Sequence, residues 1–189
     1  MTDTMATEQQ SPADVYRERY PGAVILPYED AWPEIAESAF IAPTAVVIGN
    51  VSIGEEASVW YHATVRGDIA PITIGDRSNV QDNTVVHVNM DAPIVIGKDV
   101  TLGHSAIIHG TTIGHGSMIG MGSIVMSYSH LGSHCVVAAG DGADGGRGRR
   151  SDDGCADQAT VCTRRVRPKA PGRHRRPLPG RGEHAPLVR

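Results

Sequence analysis

A chain of 189 residues is long enough for one domain with its own core, yet only 4% of it is aromatic, with a single Phe against 22 glycines. That composition excludes a large mixed globular core and suits a narrow stack filled with Val, Ile and Leu. The net charge of −4 conceals two unlike parts: residues 1–140 hold 5 Lys+Arg against 15 Asp+Glu, and residues 141–189 hold 12 against 6.

Residues 1–20 (MTDTMATEQQSPADVYRERY) are polar and are expected to be flexible, with no apolar segment of a secretory leader. No apolar run approaches the roughly 18 residues of a membrane span. Cys135, Cys155 and Cys162 make neither a disulfide framework nor a C-x-x-C clip. A reduced, cytoplasmic setting without a membrane partner is expected. Pro27 and Pro33 argue against a helix in the lead-in, where a short strand over Ala23–Leu26 is expected.

A six-residue beat begins at Ile41. It runs through Val47, Ile53, Val59, Val65, Ile74, Val80, Val86, Ile96, Leu102, Ile108, Ile113, Ile119, Val125, Leu131 and Val137. Three residues are added around Ile69–Pro71 and four within Asn89–Pro93. Hexads are a signature of a parallel β-helix. With three hexads to a coil, the beats make about five coils, and the domain spans residues 21–140. The beat residue should point inward, and the glycine that often follows it should serve the corner, where positive φ carries no Cβ penalty.

Three histidines stand out against this background. His87 follows the beat Val86 and His109 follows Ile108, three beats later once the inserted residues are looped out. Adjacent coils lie about 4.8 Å apart, so the two imidazoles should stack and could share a metal ion at Zn–N distances of about 2.0–2.1 Å. His104 falls near another corner, out of reach of that ion in one chain but within reach of an ion held by a neighbouring subunit. Three imidazoles accept Zn²⁺, and Fe²⁺ or Co²⁺ as well.

Beyond the hexads, the segments VRGD (Val65–Asp68), DRSNVQDNTVVHV (Asp76–Val88) and GHSAIIHG (Gly103–Gly110) resemble the γ-class carbonic anhydrases, left-handed β-helix proteins of the hexapeptide-repeat superfamily. The resemblance implies an all-β, left-handed parallel β-helix in a homotrimer. It implies that His87 and His109 of one subunit and His104 of the next hold the metal, usually Zn²⁺. A metal-bound hydroxide then hydrates carbon dioxide reversibly to bicarbonate. It also implies that Gln81 orients the hydroxide or the substrate, with Asp82 beside it, and that Arg66 and Asp68 are inter-subunit ion-pair residues near the site, either catalytic or locking the trimer. Asn79 reads as a ladder residue at a corner. Where some members carry a glutamate after Arg-Gly-Asp, this chain has Ile69, and the loop after the first metal histidine is short, leaving Asp91 as the nearby acid for proton removal.

After Gly140 the beat stops. Residues 141–189 are rich in Arg, Gly and Pro and are expected to be either disordered or an out-of-frame reading of the gene. No nucleic-acid partner is expected, because no aromatic residues accompany the arginines. Two other functions fit the hexads. One is an acyltransferase that uses one histidine as base and an acyl-CoA type donor; the other is a non-catalytic trimeric scaffold that binds metal.

Overall fold

The computed structural model describes residues 10–143 together with the backbone of a short strand, Val161–Cys162. Residues 1–9 of the expected flexible start, and 144–160 and 163–189 of the tail, lie outside the described residues. Within them the chain is a parallel β-solenoid of stacked coils, each turning through three faces.

The first face stacks Phe40–Ile41, Ser58–Val59, Asn79–Val80, Thr101–Leu102, Met118–Ile119, Val136–Val137 and Val161–Cys162. The second stacks Val24–Leu26, the start of Val46–Ile53, the start of Thr64–Ile74, Val85–His87, Ile107–His109, Ile124–Val125 and Gly142–Ala143. The third stacks Glu34–Ile35, the ends of the same two long strands, Ile94–Ile96, Thr112–Ile113 and His130–Leu131. Every one of these ladders is parallel. The expected strand over 23–26 is present as Val24–Leu26.

All sixteen beat residues point inward. Fifteen are at least 94% buried, and Leu131 packs partly buried against the same core. Burying a Val, Ile or Leu is worth roughly 1.5–3 kcal/mol. Each coil realises that gain only against its neighbours, which makes the stack cooperative. The added residues are absorbed where expected. Asp68–Pro71 bulges between the register positions Gly67 and Ile72, and Asn89–Ala92 closes a tight loop with a single antiparallel bridge. Both excursions leave the corner between the second and third faces.

The glycine after the beat works differently from expectation. Positive φ falls two residues later, mostly on non-glycine residues such as Glu56, Arg77, Asn83, Asp99 and Ser105. The post-beat glycine is required by proximity instead. A Cβ on Gly75 would stand 2.7 Å from the carbonyl carbon of Gly97, and one on Gly114 2.4 Å from the amide nitrogen of Ser133.

Gly67 of the Arg-Gly-Asp segment is held the same way, since its Cβ would lie 2.5 Å from the Asn50 carbonyl oxygen. Gly67→Ala is therefore expected to cost about 1–3 kcal/mol, the usual cost of overpacking. A urea titration that finds it as stable as wild type would show that the two coils separate without penalty.

A second device ties the coils. From Ser78 onward the small residue that precedes each strand is often a hydroxyl. Ser78, Thr84, Thr111, Ser117 and Ser123 are almost fully buried, and they donate to the carbonyls of Gly97, Gly103, Ser129, Gly132 and Ala138 in the following coil, at 2.7–3.0 Å. The earlier coils place Ala45, Ala57 and Ala63 at this position.

The N-terminal residues differ from expectation too. Pro12–Arg19 is a helix. Ser11 caps it by accepting from the Asp14 amide, and Pro12 starts it with a φ already suited to a helix. It is anchored by two tyrosines, not by an apolar stripe. Tyr16 donates its hydroxyl to the Pro33 carbonyl, and Tyr20 is buried at 6% exposure. Polar composition alone gave no sign of that anchoring.

Candidate metal site

His87 and His109 end two strands that are direct neighbours on the second face, with Arg66 one coil below in the same column. The stacking expected from the spacing is observed. The ring centroids lie 5.1 Å apart, and His87 Nδ1 faces His109 Nε2 at 3.1 Å. Two nitrogens on one tetrahedral Zn²⁺, with bonds of about 2.0–2.1 Å, stand roughly 3.4 Å apart. The pair is thus spaced to take one ion with little movement.

Each histidine is also anchored at its other ring nitrogen. His87 Nε2 meets Asp68 Oδ1 at 3.1 Å, and His109 Nδ1 meets Ser127 Oγ at 2.7 Å. Outer partners of this kind fix ring orientation and tautomer in metal sites. Asp68 is itself held by Arg66 in a close ion pair and receives the Ile69 amide. Burial would raise the Asp68 carboxyl, but its backbone hydrogen bond, His87 and Arg66 together hold it below the ordinary carboxylate value. Burial, then His87 and Arg66 beside it, push His109 below the ordinary imidazole value. That favours the neutral ring, which is the form that binds metal.

His104 is elsewhere. It stands at the corner before the second face, and its Nδ1 meets Asp82 Oδ2 at 3.0 Å. Gln81 and Asp82 accompany it, and the three line a shallow groove with Ser58, Trp60 and Asn79. The seven residues singled out in the sequence thus form two groups at opposite edges of one face. Arg66, Asp68, His87 and His109 make one, and Gln81, Asp82 and His104 the other. Among the described residues of one chain, no three His, Cys, Asp or Glu side chains come close enough to hold an ion.

Asn79 is indeed a rung, but it lies on a strand and not at a corner. Its Nδ2 donates to Thr101 Oγ1 at 3.0 Å. Asp91 accepts from the Tyr128 hydroxyl at 2.6 Å, which ties the Asn89–Ala92 loop to the coil above.

Ser127, Trp60 and Tyr128 carry no motif, and reading the hexads alone misses them. Extending the stacking count one coil places Met126, not Ser127, over His109, since Ile108 pairs with Val125.

The hexapeptide repeat of succinyl-transferase, as a family model, matches residues 93–127. The carbonic anhydrase of Geobacillus kaustophilus is 46% identical over 79 residues, covering 42% of this chain and 43% of that protein. The mitochondrial gamma carbonic anhydrase 2 of Arabidopsis thaliana is 43% identical over 117 residues, covering 59% of this chain and 42% of that protein. A crystal structure of a hexapeptide transferase family protein from Anaplasma phagocytophilum superposes with a TM-score of 0.62 at 45% identity, covering 64% of this chain and 71% of that one. The chain belongs to the hexapeptide transferase family. As a member of that family it is short of its relatives in matched length: it spans less than half of the two carbonic anhydrases. No helix among the described residues is long and apolar enough to cross a membrane.

Proposed function

We propose that this chain is a metal-dependent hydratase that interconverts carbon dioxide and bicarbonate in a homotrimer. The observation that carries the reading is the His87–His109 pair, set 3.1 Å apart with both outer nitrogens anchored. In this reading the pair supplies two of three imidazole ligands.

The rest of the face supports a third ligand from a neighbouring subunit. His104 sits at the opposite edge. Between the edges runs a column of exposed apolar residues, Val85 at 39%, Ile107 at 40% and Ile124 at 43%. An exposed apolar stripe marks a contact surface. Rotational symmetry would bring the edge of one subunit to the face of the next, so that His104 of the partner subunit completes the ligand set, with Gln81 and Asp82 alongside.

When bound, a Zn²⁺ there, or Fe²⁺ or Co²⁺, supplies a hydroxide nucleophile at neutral pH. The chain's own residues do the rest. Asp68 and Arg66 orient His87. The Gln81 amide can donate and accept at once, which suits a substrate that changes from linear and apolar to a charged oxyanion. Asp91, held by Tyr128 in the adjoining loop, is the acid to receive a proton, since Asp68 and Asp82 are engaged with the histidines. An acyltransferase would need one histidine as base and would leave the anchored pair without a role.

The test is metal content per chain and mass in solution for purified full-length protein, followed by carbon dioxide hydration. About one metal per chain in a trimer with measurable hydration is expected. A monomer that carries full metal would sink the shared site, and a loaded trimer without hydration would leave a metal-binding scaffold.

A further inference from the structure

The two histidines are held at their outer nitrogens by groups of opposite kind. Asp68 is a carboxylate in a close ion pair with Arg66, and it can only accept. His87 must therefore carry its proton on Nε2 and donate it across 3.1 Å. With both imidazoles neutral, His87 Nδ1 is then a lone pair. The 3.1 Å contact is satisfied only if His109 donates from Nε2. His109 Nδ1 is left as an acceptor and takes the Ser127 hydroxyl at 2.7 Å. Without metal, the chain of donors runs one way, from Ser127 through His109 and His87 to Asp68.

A metal held between the rings needs lone pairs on both inner nitrogens. His87 already presents one. His109 does not: its Nε2 proton must leave to water while a proton from water arrives at Nδ1, with no net change in charge. Its contact with Ser127 then reverses, from accepting to donating. A hydroxyl can serve as partner in both arrangements, whereas a carboxylate or an ammonium could serve in one.

The backbone holds this hydroxyl in place. The amide of Tyr128 donates to the Gly110 carbonyl at 2.8 Å, directly beside each contact residue. Gly110 has φ +48°, and a Cβ on it would approach Ser127 Oγ at 3.0 Å.

We propose that Ser127 is a positioning residue that keeps the His109 ring in one place while it changes tautomer on metal uptake. The proposal rests on His87 and His109 being metal ligands.

Two measurements on the full-length protein test it, both at a pH of about 8, above the ordinary imidazole range. Nitrogen–proton correlation spectra of the histidine rings, with His109 assigned from His109→Ala, should show His109 protonated on Nε2 without metal and on Nδ1 with Zn²⁺. His87 should stay protonated on Nε2 throughout. A metal-free His109 already protonated on Nδ1 would overturn the proposal.

Zn²⁺ affinity by chelator competition is the second measurement. Ser127→Ala should bind about 10–100-fold more weakly, the usual loss for an outer partner, with an unchanged melting temperature. Ser127→Thr, which keeps the hydroxyl, should stay close to wild type. Wild-type affinity in Ser127→Ala, with binding lost in His109→Ala, would remove Ser127 and leave the metal site standing. Wild-type affinity in His109→Ala would remove the metal site, and the proposal with it. Should Ser127→Ala not fold, Ser127→Thr and the wild-type tautomers decide.

Discussion

Full-length chains carrying His104→Ala and chains carrying His109→Ala should each be metal-poor and inactive alone, yet regain function when unfolded and refolded together. A shared site requires this. The His104→Ala chain still offers the His87–His109 pair, and the His109→Ala chain still offers His104 at the other edge of the face. In an equal mixture, random assembly of a cyclic trimer places an intact pair beside an intact His104 at about one quarter of the interfaces. Metal content and hydration rate should both return to about that fraction of wild type. Losing one of three ligands leaves two imidazoles, so the single variants should fall by orders of magnitude, and the recovered fraction stands well above background. If the mixture stays as inactive as its components, the three histidines do not meet between subunits. Recovery in a mixture of His87→Ala with His109→Ala would contradict the same idea, because those two must come from one chain.

The second large effect is on stability. Ile108→Ala should destabilise the fold by about 2–5 kcal/mol, the range for deleting a large buried aliphatic side chain. Ile108 is fully buried between Val86 below and Val125 above. A cavity there separates two coils and loosens His109, the next residue. Against a total stability of about 5–15 kcal/mol, this is enough to shift a urea midpoint markedly. The neighbouring Ile107→Ala is the control, since Ile107 faces outward at 40% exposure. It should leave the stability of an isolated subunit almost unchanged and weaken association instead. Equal effects from the two substitutions would mean that the inward and outward assignment is wrong.

The beat made most of the solenoid legible before any coordinates. A period of six gives one inward residue per face, and the two insertions fell where register could be counted. The His87–His109 stack followed from the same count. Other features were hidden for physical reasons. The hand of the coil is not written in the period, since either hand stacks hexads alike. Glycine after each beat suggested backbone freedom, whereas Gly75 and Gly114 are there because the next coil leaves no room for a Cβ. The N-terminal helix has no apolar period because two tyrosines do its anchoring. At the site, Asp68 was visible through its motif. Ser127 was not, because a serine in a hexad corner looks the same whether it supports the backbone or an imidazole.

The hydroxyl rungs from Ser78 to Ser123 all point the same way, each donating to the coil that follows it in sequence. The solenoid therefore has a mechanical polarity. Peeling a coil from the C-terminal end strips an acceptor from a buried hydroxyl in the coil beneath, whereas the alanine-lined coils at the other end have no such rung to break. A subunit pulled in an optical trap from its C-terminal end should resist in steps, each releasing one coil, about 60 Å of chain at the extended rise per residue. Pulled from its N-terminal end, it should yield its first coils at lower force.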